Sequence, residues 1–122
     1  MSKIKIENKT TEEFGRLAVK ILSDNLGDNV VLLDVRNNND YSDFLVITSG
    51  RTDQHLESLS TRVTKDLRNA GLRVHHKEGS GSGGWILLDF LGLVTHIFSD
   101  ESRKKYDIEN LFGGGREIVR LQ

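Results

Sequence analysis

The feature that most constrains the fold is a helical segment framed by two short apolar runs. Apolar residues recur over 53–70 at the spacing of one helical face: Leu56, Leu59, Val63, Leu67 and Ala70. An N-cap residue, Thr52 or Asp53, precedes this segment. The flanking runs 44–48 and 72–76 are too short for helices and are typical of strands. Strand, helix and strand in this order predict a βαβ unit with two parallel strands, and hence a protein of the α/β class.

Three further strands and two further helices complete the predicted order. The first helix begins at a capping box formed by Thr10 and Glu13 and ends at Gly27, which is expected in the left-handed conformation. Ser99 caps the last helix. Apolar runs predict strands at three further places: 30–35, 85–90 and 93–98. The last two form an antiparallel pair bent at Gly92, so we expect a mixed five-stranded sheet flanked by three helices.

The chain of 122 residues is long enough for one hydrophobic core and too short for two. Residues 1–112 are therefore predicted to form a single domain. Glycines at 113–115 then interrupt the chain, and residues 113–122 are predicted to form a Gly-rich C-terminal tail. Ile118 and Val119 give this tail the composition of a short edge strand.

Composition excludes several classes of protein. Lys and Arg number 17, Asp and Glu number 18, and the formal net charge is −1, which excludes a globally basic nucleic-acid binder and a cationic membrane-surface protein. The absence of cysteine excludes disulfides, cysteine-bound zinc and thiol chemistry. No apolar run approaches the roughly 20 residues of a membrane span, and the first residues lack the apolar region of a secretory signal. We therefore expect a cytoplasmic protein with no membrane and no DNA partner.

The segment 79–84 (GSGSGG) resembles a phosphate cradle, because glycines let backbone amides approach an anion. A P-loop also needs a Lys-Ser or Lys-Thr pair and a helix directly after the loop. Here a strand that begins with Trp85 follows instead. The segment is therefore predicted to be a flexible hairpin loop.

Three histidines raise the question of a metal site. His75 and His76 are adjacent on a predicted strand, so their side chains point to opposite faces and cannot both bind one ion. His96 lies among apolar residues, where a hydrogen-bonded structural histidine is the commoner case. No metal is therefore expected at these histidines.

Three aspartates lie where a metal-dependent nucleotidyl- or phosphotransferase would hold its carboxylates: Asp34, Asp43 and Asp89. Such an enzyme needs carboxylates that converge on a divalent ion, usually a closely spaced Asp-x-Asp pair on one strand. No predicted strand carries that pair, and no Gly-x-Ser-x-Gly elbow offers a serine nucleophile. We expect a non-enzyme without cofactor or metal. The transferase that uses these three aspartates is the alternative.

Asp89 lies inside an otherwise apolar strand. Alternation places Trp85, Leu87 and Asp89 on one face. A buried carboxylate needs a partner, and His96 on the neighbouring strand is the plausible one. Trp85 beside polar groups on an uncovered sheet face has the composition of a protein-binding hot spot. An ordinary core position for Trp85 is the equally weighted alternative.

The last helix carries a small basic cluster, Arg103-Lys104-Lys105. Asp100, Glu101 and Glu109 are available as ion-pair partners at helical spacings, which favours a solvated helix face. The functional alternative is a rim contact to an acidic or RNA-bearing partner.

Taken in order, several segments resemble the ribosomal silencing factor family (RsfS, also called Iojap or YbeB). The resemblance extends from about residue 10 to residue 112, and its specificity lies in the ordered set and its spacings. The segments that carry it are Leu33-Asp34-Val35-Arg36, Asp43-Phe44-Leu45-Val46-Ile47-Thr48-Ser49-Gly50, Gln54, Trp85-Ile86-Leu87-Leu88-Asp89-Phe90, His96-Ile97-Phe98, Arg103, Tyr106, Glu109 and Leu111.

The resemblance implies a nucleotidyltransferase-like fold without the catalytic carboxylates. It also implies binding to the large ribosomal subunit, on the ribosomal protein numbered fourteen at the intersubunit face. There the factor would block joining of the small subunit and repress translation under nutrient limitation. The partner-binding residues that it implies are Trp85, Asp89, Phe90, Leu91, His96, Arg103 and Tyr106.

Two departures from the family pattern concern this surface. Leu91 and then Gly92 follow the Asp-aromatic pair, where the family usually has glycine and then a polar residue. The last helix ends in Leu111-Phe112, where the family often has Leu-Trp. A contact to ribosomal RNA, and a homodimer that buries the face of Trp85, stay open as further partners.

Overall fold

A computed structural model describes residues 9–37, 42–111 and 115–122. One mixed sheet is flanked by helices, as the sequence predicts. The elements in chain order are α1 (Thr11–Asp24), β1 (Asp28–Asp34), β2 (Phe44–Gly50), α2 (Asp53–Asn69), β3 (His76–Ser80), β4 (Trp85–Asp89), β5 (Leu93–Ser99), α3 (Asp100–Tyr106), α4 (Ile108–Leu111) and β6 (Arg116–Leu121).

The sheet has six strands in the order β3-β4-β5-β2-β1-β6, so the predicted count of five is wrong. The sixth strand is β6, which pairs antiparallel with β1 along the sheet edge. The edge strand expected from Ile118 and Val119 is thereby confirmed. The predicted domain boundary after residue 112 lies outside the described residues.

The third predicted strand is displaced along the chain. Residues 72–75 are irregular, with Leu72 and Val74 packed against the core beneath the helices. Pairing with β4 begins only at His76, opposite Asp89. The strand is set by its hairpin partner rather than by its own apolar residues, because the segment His76–Ser80 has little intrinsic strand preference.

The two strands that flank α2 run in the same direction, as the βαβ prediction requires, but they are not neighbours in the sheet. β2 pairs parallel with β5, and β4 pairs antiparallel with both β5 and β3. β2 and β3 therefore run in the same direction. However, β5 and β4 lie between them in the sheet.

Local signals account for α1. Thr10 Oγ1 accepts from the Glu13 amide, and the Glu13 carboxylate accepts from the Thr10 amide, which confirms the capping box. At the other end, Leu26 takes the left-handed conformation (φ 69°), not Gly27 as expected. Glycine is required at position 27 for space, because a Cβ there would lie 2.7 Å from Thr48 Oγ1.

The two sheet faces are covered differently. α1 and α2 pack on the first face and bury the larger core, which includes Leu32, Val46 and Ile97. The opposite surface is here called the second face, and its buried core consists of Val31, Leu33, Val35, Leu45, Ile47, Phe98 and Ile108. α3 packs on the second face mainly against β5 and β2, and its last residue, Tyr106, contacts Trp85 of β4. On this face β4 presents a row of half-buried side chains.

None of the helices in the part of the chain that the structure describes is long and apolar enough to cross a lipid bilayer.

Candidate functional site

The row of β4 side chains on the second face consists of Trp85, Leu87 and Asp89, each of them half-buried. Their alternation with the fully buried Ile86 and Leu88 is the one that the sequence predicts. Between Trp85 and Asp89 the strand rises roughly 13 Å. The row is thus a continuous strip on the second face, with a turn at one end and α3 at the other.

Trp85 is the centre of an aromatic cluster. Its ring centroid lies 4.9 Å from that of Phe98 and 4.6 Å from that of Tyr106. The Phe98 side is closed by the core, whereas Tyr106 is 46% exposed. Both alternatives for Trp85 therefore hold in part, because the residue packs against the core of the second face and yet is only half-buried.

His96 is the hydrogen-bond partner of Trp85, not of Asp89. The indole Nε1–H donates to His96 Nδ1 over 3.0 Å. His96 is 7% exposed, and burial lowers the pKa of its imidazole to about 4. The ring is therefore neutral at neutral pH, with an unprotonated Nδ1 that can accept. This contact corrects the predicted Asp89–His96 pair: His96 lies opposite Leu87, whereas Asp89 lies opposite Val94.

Asp89 instead orders the turn between β4 and β5. Its Oδ1 accepts from the Leu91 amide over 2.8 Å. Leu91 and Gly92 have left-handed φ values of 61° and 66°. The Phe90 amide donates to the Leu93 carbonyl over 2.8 Å, and the Leu93 amide donates to the Leu91 carbonyl over 2.6 Å. The turn holds Leu91 outward, with 63% of its surface exposed.

Beside this strip runs a groove of about 410 Å³ between β3 and β4. Trp85 and Leu87 line its apolar side, and Glu78 and Ser80 face them across the strand pair. The carboxylate of Glu78 beside the half-buried Trp85 and Leu87 gives the surface both apolar area and polar groups, as protein-binding sites require.

Arg103 is held inside the protein. Its guanidinium donates to Glu109 Oε1 over 2.6 and 2.9 Å, to Ser49 Oγ over 3.0 Å and to the Asp28 carbonyl over 3.3 Å. Its side chain is only 12% exposed. The predicted ion pair with Glu109 is confirmed. It spans a break in the helix at Asp107 (φ 46°) rather than a helical repeat.

The remaining predicted site residues divide between the two faces. Tyr106 and Leu91 are exposed at the two ends of the strip. Phe90 is 2% exposed and belongs to the core beneath α1 and α2, so its side chain lies on the other face of the sheet. Sequence analysis missed Ile108, which lies in the core of the second face beyond the helix break.

The glycines of the Gly/Ser segment serve packing. The predicted hairpin is confirmed. Residues 77–80 belong to β3, however, so the turn spans only 81–84. The Gly81 amide already donates to Glu57 Oε2 over 2.7 Å. A carboxylate thus occupies an amide that a phosphate cradle would need.

Two of the three aspartates of the transferase alternative, Asp34 and Asp89, lie on different faces of the sheet, and Asp43 precedes β2. Asp34 pairs with Phe44, whose ring lies in the core beneath the helices, whereas Asp89 pairs with Val94 on the second face. Arg36 and Arg116 bind the Asp34 carboxylate and hold its pKa well below its usual range. Within the described ranges, no three His, Asp or Glu side chains form a group that could hold a metal ion.

Known proteins share both this sequence pattern and this fold. The ribosomal silencing factor RsfS of Chromobacterium violaceum is 30% identical over 103 residues, which cover 84% of each chain. A crystal structure of a Chromobacterium violaceum protein is similar with a TM-score of 0.81 and 29% identity, covering 85% of this chain and 87% of that one. A mouse relative named mitochondrial assembly of ribosomal large subunit protein 1 is 25% identical over 99 residues, 79% of this chain and 43% of that protein.

The match is not confined to one motif or one element of the fold. The model of the family described as ribosomal silencing factor during starvation (RsfS) covers residues 8–121, from three residues before α1 to the end of β6. The strip on β4, its turn and α3 all lie inside that range. This chain therefore belongs to the ribosomal silencing factor family.

Proposed function

We propose that this protein binds the large ribosomal subunit and sterically blocks joining of the small subunit, so that translation is repressed when nutrients are scarce. The proposed docking partner is the ribosomal protein numbered fourteen at the intersubunit face, as the family resemblance implies. One observation carries the proposal: Trp85 and the exposed Tyr106 form an aromatic pair on a sheet face that α1 and α2 leave uncovered. The names of the relatives, a silencing factor and a large-subunit assembly protein, support the ribosome as partner.

The aromatic pair has the properties of a binding hot spot. Trp and Tyr provide large contact areas at low cost in side-chain entropy, and hot spots are enriched in both. Trp85 is held between Phe98 and Tyr106, so little conformational freedom remains to be lost on docking. The groove beside it can receive a side chain of the partner.

Leu91 supports the same surface. A non-glycine residue in the left-handed region costs about 1 kcal/mol, and leucine has no side-chain group that offsets this cost. Since Leu91 is also 63% exposed, burial within the domain does not compensate either. A contact with the partner would explain why an apolar side chain occupies this turn position.

Steric exclusion requires occupancy and no chemistry. A factor seated on the intersubunit face competes with the small subunit by mass action, so repression follows the fraction of large subunits that carry it. We therefore propose a binding protein and not an enzyme. Asp34 and Asp89, two of the three aspartates that a transferase would use, lie on opposite faces of the sheet, which supports this choice.

The proposal is tested by mixing the purified protein with separated ribosomal subunits on a sucrose gradient. Co-migration with the large subunit, and fewer joined ribosomes when small subunits are added, are expected. A protein that stays at the top of the gradient would contradict the proposal. Saturable magnesium-nucleotide binding that Asp89→Asn abolishes would instead favour the transferase, and light scattering over a concentration range would reveal a homodimer that hides the strip.

Two leucines offer a matched pair of variants. Leu91 and Leu26 are both exposed and both left-handed, at 63% and 65% exposure, but Leu26 lies after α1 and away from the strip. Asparagine tolerates the left-handed region, so Leu91→Asn and Leu26→Asn should both fold. We expect Leu91→Asn to weaken large-subunit binding roughly tenfold through lost apolar contact, and Leu26→Asn to leave it unchanged. Equal affinities for the two variants would exclude Leu91 from the interface.

A further inference from the structure

We propose that His96 is a positioning residue: it does not touch the ribosomal partner but fixes the indole of Trp85 in the orientation that docks. The inference rests on the proposed function and adds a role to it. His96 is 7% exposed, which leaves little of its ring for a partner. Its contact with the surface is made through the hydrogen bond from Trp85 Nε1.

Packing alone does not determine how the indole is turned. The second side-chain torsion of tryptophan is broad and roughly two-fold, and a half-turn of the ring keeps most of its contact area. Such a turn would carry the N–H away from His96 and break this hydrogen bond. The hydrogen bond therefore selects one of two orientations that are similar in apolar contact.

His96 is itself held in place. It lies on β5 opposite Leu87, diagonal to Trp85, and its ring stacks on Phe98 with an interplanar angle of 8° and a centroid distance of 5.9 Å. Trp85 in turn lies opposite Phe98. The acceptor atom is therefore fixed by the strand register and by the stacked ring, which makes it a rigid reference for the indole.

The test uses two substitutions of His96. His96→Leu fills the space without an acceptor, whereas His96→Asn keeps an oxygen close to the position of Nδ1. Trp85 is the only tryptophan, so its indole N–H resonance and its fluorescence report on this side chain alone. We expect His96→Leu to shift the indole resonance, to speed its exchange with solvent and to weaken large-subunit binding roughly tenfold, the effect of one hydrogen bond. His96→Asn should restore both readouts.

A matched control separates positioning from general loss of stability. His55 is a half-buried histidine that also makes two hydrogen bonds, to the Arg51 amide and the Asn25 carbonyl, but away from Trp85. His55→Leu should lower stability while it leaves the indole resonance and large-subunit binding unchanged. Far-UV circular dichroism shows whether each variant is folded.

Each outcome bears on the inference. An unchanged indole resonance and wild-type binding in His96→Leu would overturn it, and so would a folded His96→Asn that restores the resonance but not binding. If the wild-type protein itself does not bind large subunits, the proposed function fails and the docking role of His96 fails with it. The indole resonance still decides in that case whether His96 orients Trp85.

Discussion

Replacing Arg103 by alanine is expected to destabilise the whole domain, even though Arg103 belongs to a basic cluster near the proposed docking surface. The guanidinium joins α3 to the sheet, through Ser49 and the Asp28 carbonyl, and to α4 through Glu109. Alanine removes all of these contacts at once. It also removes the donor to Ser49 Oγ in a part-buried site, whereas the Asp28 carbonyl still accepts from the Thr48 hydroxyl.

The magnitude follows from the contacts. Four hydrogen bonds are lost, two of them to a carboxylate that is 27% exposed and keeps Arg120 at 3.3 Å. Because Glu109 retains a cation and partial hydration, we take a value near the low end of the range for a broken buried pair, about 3 kcal/mol. With an unfolding entropy of about 2.1 cal/mol/K per residue, this loss corresponds to a Tm lower by about 12 °C for this chain.

Thermal unfolding followed by far-UV circular dichroism measures the effect. Lys104→Ala is the matched control, because Lys104 is the next residue of α3 and is exposed. We expect its Tm to stay close to that of the wild type. A Tm for Arg103→Ala within about 2 °C of the wild type would refute the structural role. Loss of large-subunit binding by such a stable variant would make Arg103 a direct contact instead.

Four further predictions concern single positions. The Thr95 hydroxyl is fully buried and has no partner among the described residues, so Thr95→Val should be neutral or raise the free energy of unfolding by about 1 kcal/mol in urea titration. Leu91→Asn should raise the free energy of unfolding by about 0.5–1 kcal/mol, because asparagine tolerates the left-handed turn position. A free energy of unfolding below that of the wild type would contradict the assigned strain. Gly81→Ala should destabilise the hairpin by more than about 1 kcal/mol, since a Cβ would lie 2.1 Å from the Asp53 carbonyl, and an unchanged Tm would show that the hairpin yields. Burial lowers the pKa of His96 to about 4 in the folded protein, against 6.5 in the unfolded chain. The free energy of unfolding is therefore highest above pH 6.5 and falls by up to about 3 kcal/mol as pH drops from 6.5 towards 4. If the difference in this free energy between the wild type and His96→Asn does not change with pH, the coupling is excluded.

The helices could be predicted from the sequence because their determinants are local. The capping box of Thr10 and Glu13 and the Thr52 cap use groups three residues apart, and each is formed as expected. The apolar period of α2 likewise identified the side chains that it buries. Alternation along β4 identified the row of Trp85, Leu87 and Asp89, since a strand places every second residue on the same face.

The partners of the site residues could not be predicted in the same way. The register between β4 and β5 places His96 opposite Leu87 and therefore diagonal to both Trp85 and Asp89, so only the side-chain conformations of the folded protein select Trp85 as its partner. Arg103 reaches Glu109 only because the chain breaks at Asp107, and it reaches Ser49 only because α3 packs on β2. β3 likewise forms where its hairpin partner offers hydrogen bonds.

The sequence by itself thus determined the α/β class, the helices and which strand face carries Trp85. Only the tertiary structure decided that the side chain of Arg103 is only 12% exposed and joins α3 to the sheet, and that His96 accepts the hydrogen bond of the indole. The physical reason is the range of the interactions. Caps and helical periods join residues within a few positions, whereas strand register and ion pairs join residues brought together only by the complete fold.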